Sequence, residues 1–125
     1  MRWRHYLNKL IVTEPNILNI EKLENSVIME LRLQPELDYF KGHFPEVPIL
    51  AGVVQLDWAI QYIQQHLGYE QQLVENVEVL KFQVVLSPDL VVSLHLERKS
   101  AHKATFKYIS AKGVHASGRI VFENS

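Results

Sequence analysis

A chain of 125 residues, 47% hydrophobic and 22% charged, fits one globular domain spanning residues 1–125, because a second domain would lack the material to bury its own surface. A formal net charge of −1 excludes a global attraction to nucleic acid or to an anionic membrane. With no cysteine, disulfides, thiolate metal sites and a thiol nucleophile are excluded as well.

The first residues are basic, but Leu7, Leu10, Ile11 and Val12 are interrupted by Asn8 and Lys9, too broken for a signal segment. No window approaches the roughly 18 apolar residues a membrane helix needs. The expectation is a soluble, cytoplasmic protein. A short strand is expected around Leu10–Thr13, with a turn at Glu14-Pro15-Asn16. Ser26–Leu33 alternates Val27, Met29, Leu31 and Leu33 with Glu30 and Arg32, the pattern of a half-buried strand. Gln34-Pro35 stops it, since proline donates nothing to a ladder.

Residues 38–52 form an aromatic loop in which Pro45 and Pro48 push Phe44 and Val47 toward extended backbone, so the loop is expected to be stiff. From Gly52 to Leu67 the pattern turns helical. Val53, Leu56, Ile60, Ile63 and Leu67 make one stripe, Val54, Trp58, Ala59 and Tyr62 widen it, and Gly68 stands where a helix ends. A helix this apolar is expected to be buried on several sides. Strands follow at Val74–Val85, Leu90–Arg98, Ala104–Ala111 and Val114–Glu123, with a break at Ser87-Pro88-Asp89, a polar turn at Lys99–Lys103 and a hairpin turn at Lys112-Gly113. One apolar helix with four or more antiparallel strands gives an α+β domain with the helix against the sheet. Periodicity alone does not fix the strand order.

Three features carry chemistry. Asp57 sits about one and a half turns into the helix between Leu56 and Trp58. A carboxylate there must face water, find a partner, or be held protonated. The helix start offers the unpaired N–H groups of Gly52 and Val53 with the positive end of the helix dipole, which suits an oxygen that gains negative charge. His43 lies in the stiff loop, and imidazole is the usual side chain for moving a proton near neutral pH. A base, an acid and an oxyanion site within fifteen residues suit proton abstraction beside a thioester carbonyl.

The run from Gly42 through His43, Phe44 and Pro45 to Gly52 and Asp57 resembles the active-site signature of the 3-hydroxyacyl-acyl-carrier-protein dehydratases of bacterial fatty-acid synthesis. That signature reads Gly-His-Phe-Pro, two variable residues, Pro, two variable, Pro-Gly, then a carboxylate fourteen positions after the histidine, the spacing from His43 to Asp57. Gly52-Val53-Val54-Gln55-Leu56-Asp57-Trp58-Ala59 is similar to the helix of the small dehydratases from aryl-polyene clusters. The specific likeness covers Tyr39 to Ile60, and a weaker one continues through Leu80-Lys81-Phe82, Pro88 and Gly118-Arg119-Ile120. Ala51 departs from the usual proline, and Glu46-Val47 places a charge where a small residue is common.

The resemblance implies a hot-dog fold, a long central helix wrapped by a curved antiparallel sheet. It implies a homodimer, or a dimer with a related hot-dog subunit, in which the histidine of one subunit faces the carboxylate of the other. A cis peptide at His43–Phe44 is implied too. The expected roles are His43 and Asp57 as acid–base pair, with Gly52, Val53, Gln55 and Phe44 holding the substrate. The acyl group would arrive on the phosphopantetheine of acyl carrier protein, with no metal or other cofactor. Gln55 would orient Asp57 or the substrate hydroxyl. Two rivals stand beside this reading, a hot-dog acyl thioesterase and a non-catalytic pseudo-dehydratase subunit of a hetero-oligomer. His5, His66, His95, His102 and His115 show no metal-ligand spacing and read as surface or strand residues. The basic cluster Arg98, Lys99, His102, Lys103 and Lys107 reads as solvated hairpin ends, or as a surface that steers an acidic carrier protein.

Overall fold

In the computed structural model, residues 12–41 and 48–124 are described, and six strands and one long helix account for most of them. The strands are β1 (Asn16–Lys22), β2 (Ser26–Arg32), β3 (Val74–Phe82), β4 (Val91–Arg98), β5 (Lys103–Ser110) and β6 (Gly113–Phe122). The helix α1 runs Gly52–His66, and a short 3-10 turn, Asp38–Phe40, precedes the loop before it. All neighbouring strands are antiparallel, in the order β1-β2-β4-β5-β6-β3. Period-two alternation makes one sheet face apolar. Val27, Met29 and Leu31 of β2, Val92, Leu94 and Leu96 of β4, and Ala104, Phe106 and Tyr108 of β5 are buried on it. α1 covers this face with Trp58, Ala59, Tyr62 and Ile63. Gly68, at φ +84°, takes the left-handed conformation that closes a helix.

Two expectations are corrected. Val12 and Thr13 are not in a strand; the Val12 backbone instead exchanges hydrogen bonds with Asp38, N–H to Oδ2 at 3.0 Å and C=O from the Asp38 N–H at 2.8 Å. Leu10 and Ile11 lie outside the described residues. The strand in this region is β1, which starts at Asn16 and has every residue exposed. The buried stripe of α1 is also rotated from the expected one. Gln55, Trp58, Ala59, Tyr62 and Ile63 face the core, whereas Val53 is 73% exposed and Leu56 and Ile60 are half-buried. Among the described residues α1 is therefore fully buried along one face, with Val53 open and Leu56 and Ile60 only partly packed against the core.

Tyrosines tie the layers together. The Tyr62 hydroxyl donates to Glu14 Oε1 at 2.8 Å, and the buried Tyr108 hydroxyl donates to the Gln55 carbonyl at 2.6 Å. Burial pushes both phenols up from their ordinary value near 10, helped for Tyr62 by its bond to Glu14. Folded phenols that titrate above the unfolded ones give stability that is complete below about pH 10 and is lost as pH rises further. The melting temperature is accordingly expected to fall above that pH, and the fall should be shallower in Tyr62→Phe. A decline of equal slope in the variant would show that Tyr62 is not responsible.

Candidate active site

The entry to α1 is built from an extended residue followed by a glycine. Ala51 has φ −62° and ψ 146°, a φ that proline would fix, so alanine keeps the path of the proline it replaces. No side chain caps the helix, and its first turn contains no acidic residue. The first intrahelical bonds run from the Val54 and Gln55 N–H groups to the Ala51 carbonyl, at 3.1 and 3.2 Å. The N–H groups of Gly52 and Val53 come before these bonds, where a helix has donors to spare for an anionic ligand.

Gly52 borders a cleft of about 320 Å³ lined by residues 49–52, Gln55 and 82–85. The tip of the Phe82 ring sits against Gly52, where a Cβ would come within 2.8 Å of Phe82 Cζ. Glycine thus lets the ring pack on the helix start. The opposite wall is fastened by His115. This histidine reads from sequence as a surface or strand residue; it lies in β6 and is fully buried. Its carbonyl accepts the N–H groups of Gln83 and Val84 at 2.8 and 3.3 Å. Its Nδ1 lies 3.1 and 3.2 Å from the Val84 and Val85 carbonyls, which can only accept, so Nδ1 carries the proton. Nε2 then accepts from Ser110 Oγ at 2.6 Å. The next residue, Leu86, accepts the Leu50 N–H at 2.8 Å, and the Leu50 carbonyl accepts Gln55 Nε2 at 3.0 Å. A continuous set of bonds thus links β6 to the first turn of α1. No signal in the sequence marks His115, because the carbonyls at its Nδ1 come from residues some thirty positions away.

Gln55 is 4% exposed, and among the described residues its Oε1 is buried without a hydrogen-bond partner. Asp57 is exposed, so of the three alternatives open to it in the sequence it faces water within the chain. Two residues along a helix turn the side chain through about 200°, which puts Gln55 and Asp57 on opposite sides of α1. The structure brings Gly52 and Gln55 to the cleft, whereas Val53 is exposed outside its lining and Asp57 lies away from it. His43 and Phe44, and the peptide bond between them, lie outside the described residues. Tyr39, in the 3-10 turn before that loop, meets Trp58 edge-on with ring centroids 6.3 Å apart. Its phenol is pushed up mainly by burial, and the negative charges of Asp57, Glu14 and Asp38 add to the effect.

A larger groove of about 570 Å³ lies over alternate positions of the sheet that face away from the core, including His95, Thr105 and Lys107. No helix start borders it. In the basic cluster, Arg98 Nη1 is bound to the Leu67 carbonyl at 2.7 Å and Lys99 pairs with Glu97 at 3.0 Å. Among the described residues no helix is long and apolar enough to cross a membrane.

One helix lying on a six-stranded antiparallel sheet is the hot-dog architecture. The same fold is found in zebrafish thioesterase superfamily member 2, which matches at a TM-score of 0.64 with 8% identity over 85% of this chain and 80% of that one. The chain belongs to the ApeI-like family of dehydratases, described as ApeI dehydratase, whose profile matches residues 19–119. It is similar to the ApeI:P dehydratase heterocomplex of Xenorhabdus doucetiae, with a TM-score of 0.81 and 31% identity over 89% of this chain and 99% of that one. It is also 28% identical to the 3-hydroxyacyl-acyl-carrier-protein dehydratase FabZ of Chlamydia caviae, over 82% of this chain and 67% of the relative.

Proposed function

We propose that this protein removes water from a 3-hydroxyacyl thioester carried on acyl carrier protein, giving the trans-2-enoyl thioester in fatty-acid or polyene-type biosynthesis. The observation that carries this reading is the uncapped start of α1 opening into a cleft, in a chain of dehydratase family that holds His43 and Asp57 at the signature spacing. The thioester carbonyl sits on the Gly52 and Val53 N–H groups, which stabilise the charge that develops there as a proton leaves C2. His43 takes that proton. The C3–O bond breaks, and Asp57 gives its proton to the departing hydroxyl, so one water leaves. Gln55 and Phe44 hold the acyl group. The reaction is redox-neutral and calls for no metal or redox cofactor, and the carrier-borne substrate suits a cytoplasmic enzyme.

We infer also that the working site spans two hot-dog subunits, a second copy or a related chain. Asp57 is exposed and stands outside the cleft that Gly52 borders. The carboxyl of a second subunit facing this helix start would complete the site. The half-open stripe of Val53, Leu56 and Ile60 beside Asp57 supports this. So does the free edge at β3 with the segment after it, where Val79 and Phe82 of the strand and Val85 beyond it are 61%, 50% and 58% exposed, a patch of the kind that marks association. The likeness to a dehydratase heterocomplex favours a related chain as partner.

The test is to incubate the purified chain, alone and with a co-expressed related subunit, with 3-hydroxyacyl carrier protein and follow the carrier by intact mass. Loss of one water with the acyl group retained is the expected result. Loss of the whole acyl group would identify a thioesterase, and an unchanged mass in both incubations would identify a non-catalytic subunit.

A further inference from the structure

Gln55 holds a buried polar atom that no described residue satisfies. Its Nε2 is committed to the Leu50 carbonyl at 3.0 Å, while its Oε1 is buried and, among the described residues, unpaired. Flipping the amide would not help, because Oε1 would then face the Leu50 carbonyl, acceptor against acceptor. A buried acceptor without a donor costs about 1–3 kcal/mol, and an apolar side chain would avoid that cost. Such groups call for an explanation in ligand binding or catalysis. The residue lines the 320 Å³ cleft beside Gly52. Gln55 stands three positions after Gly52, which puts them on neighbouring faces of α1 about 4.5 Å apart along its axis.

We propose that Gln55 Oε1 accepts the hydrogen of the substrate's 3-hydroxyl and so makes Gln55 the residue that selects hydroxylated over saturated acyl chains. The inference rests on the dehydratase reading above. With the thioester oxygen on Gly52 and Val53, a hydroxyl two carbons along the acyl chain falls within the span of one helical turn. The hydroxyl hydrogen then points to Oε1, which leaves the oxygen lone pairs free for the proton that arrives from Asp57. A neutral amide suits this task, because it orients the hydroxyl without taking its proton. When the C3–O bond breaks, the hydrogen on Oε1 leaves with the water. The enoyl product has no donor for that acceptor, so its release is assisted. A site that pairs with a substrate hydroxyl discriminates against analogues lacking it, because its own polar group is then stranded.

The test compares binding of matched acyl-pantetheine thioesters of one chain length carrying hydroxyl, fluorine or hydrogen at C3. It is made with His43→Ala protein, in complex with its partner subunit where one is needed, so that no substrate is consumed. The hydroxyl thioester should bind about tenfold more tightly than either analogue, the effect of one hydrogen bond of about 1.4 kcal/mol. Adding Gln55→Leu should abolish that preference. General damage to the helix entry would weaken all three ligands alike and leave the ratio unchanged. A preference that survives Gln55→Leu overturns the proposal. If that variant does not fold, the fluorine comparison decides, since equal binding of the fluoro and hydroxyl ligands shows that no hydrogen is donated. Turnover by unmodified protein is measured in parallel. Failure there removes the dehydratase reading, whereas normal turnover with a surviving preference removes only the role of Gln55.

Discussion

His43→Ala is expected to slow water loss from a 3-hydroxyacyl carrier protein by about 10²–10⁴-fold, the range associated with a positioned proton-transfer group. Asp57→Asn should have a similar effect, because the carboxamide cannot supply the proton that the departing hydroxyl requires. Far-ultraviolet circular dichroism should be unchanged in Asp57→Asn, since Asp57 is exposed in the chain. The pair also tests the two-subunit site. If the chain works as a homodimer, mixing the two inactive variants and allowing exchange gives mixed dimers with one intact site each. Random reassortment through an isologous interface should then restore about a quarter of wild-type activity. A chain that works with a related subunit should recover nothing on mixing, and its activity should instead depend on that subunit. Wild-type rates in either single variant would exclude the proposed mechanism.

Trp58→Ala should be the most damaging core substitution, costing about 3–5 kcal/mol. Trp58 is 1% exposed, its Nε1 donates to the Thr13 carbonyl at 3.0 Å, and Tyr39 packs edge-on against its ring. The side chain therefore joins α1 to both the 12–14 segment and the 3-10 turn. Trp58→Phe keeps most of the apolar surface and loses the hydrogen bond, so about 1 kcal/mol is expected from that contact alone. Urea unfolding followed by tyrosine fluorescence measures both. Values within 1 kcal/mol of each other for the two variants would mean that the hydrogen bond, and not the packing, gives Trp58 its importance.

The elements that could be read from sequence were those with a buried face. β2, β4, β5 and β6 alternate because one side of each meets the core, and Gly68 marks the helix end through its positive φ. β1 escaped because all seven of its residues are exposed, leaving no alternation for a pattern to follow. The helix was found, and Trp58, Ala59, Tyr62, Ile63 and Leu67 are buried as expected, but Val53, Leu56 and Ile60 are not. Leucine, isoleucine and valine define a stripe through Val53, Leu56 and Ile60, while the core takes Trp58, Ala59 and Tyr62 together with a glutamine. That departure is informative, since the unused stripe lies beside Asp57. At the site, Gly52 and Val53 were legible from their position at a helix start. The burial of Gln55 and the clamp at His115 depend on residues 82–86 lying beside β6, a long-range pairing that local pattern does not encode.

The order of the strands also determines when the cleft can exist during folding. β4, β5 and β6 follow one another as hairpins, so each pairing closes a short stretch of chain. β3 pairs with β6 instead, and bringing Phe82 opposite Ala116 encloses all of β4 and β5 in the loop. Closing so long a loop carries more entropic cost than closing a hairpin, and contacts of this kind delay folding. A chain that has formed only its hairpins has a partial sheet with nowhere for an acyl group to sit. The binding cavity is completed by a contact that no hairpin supplies.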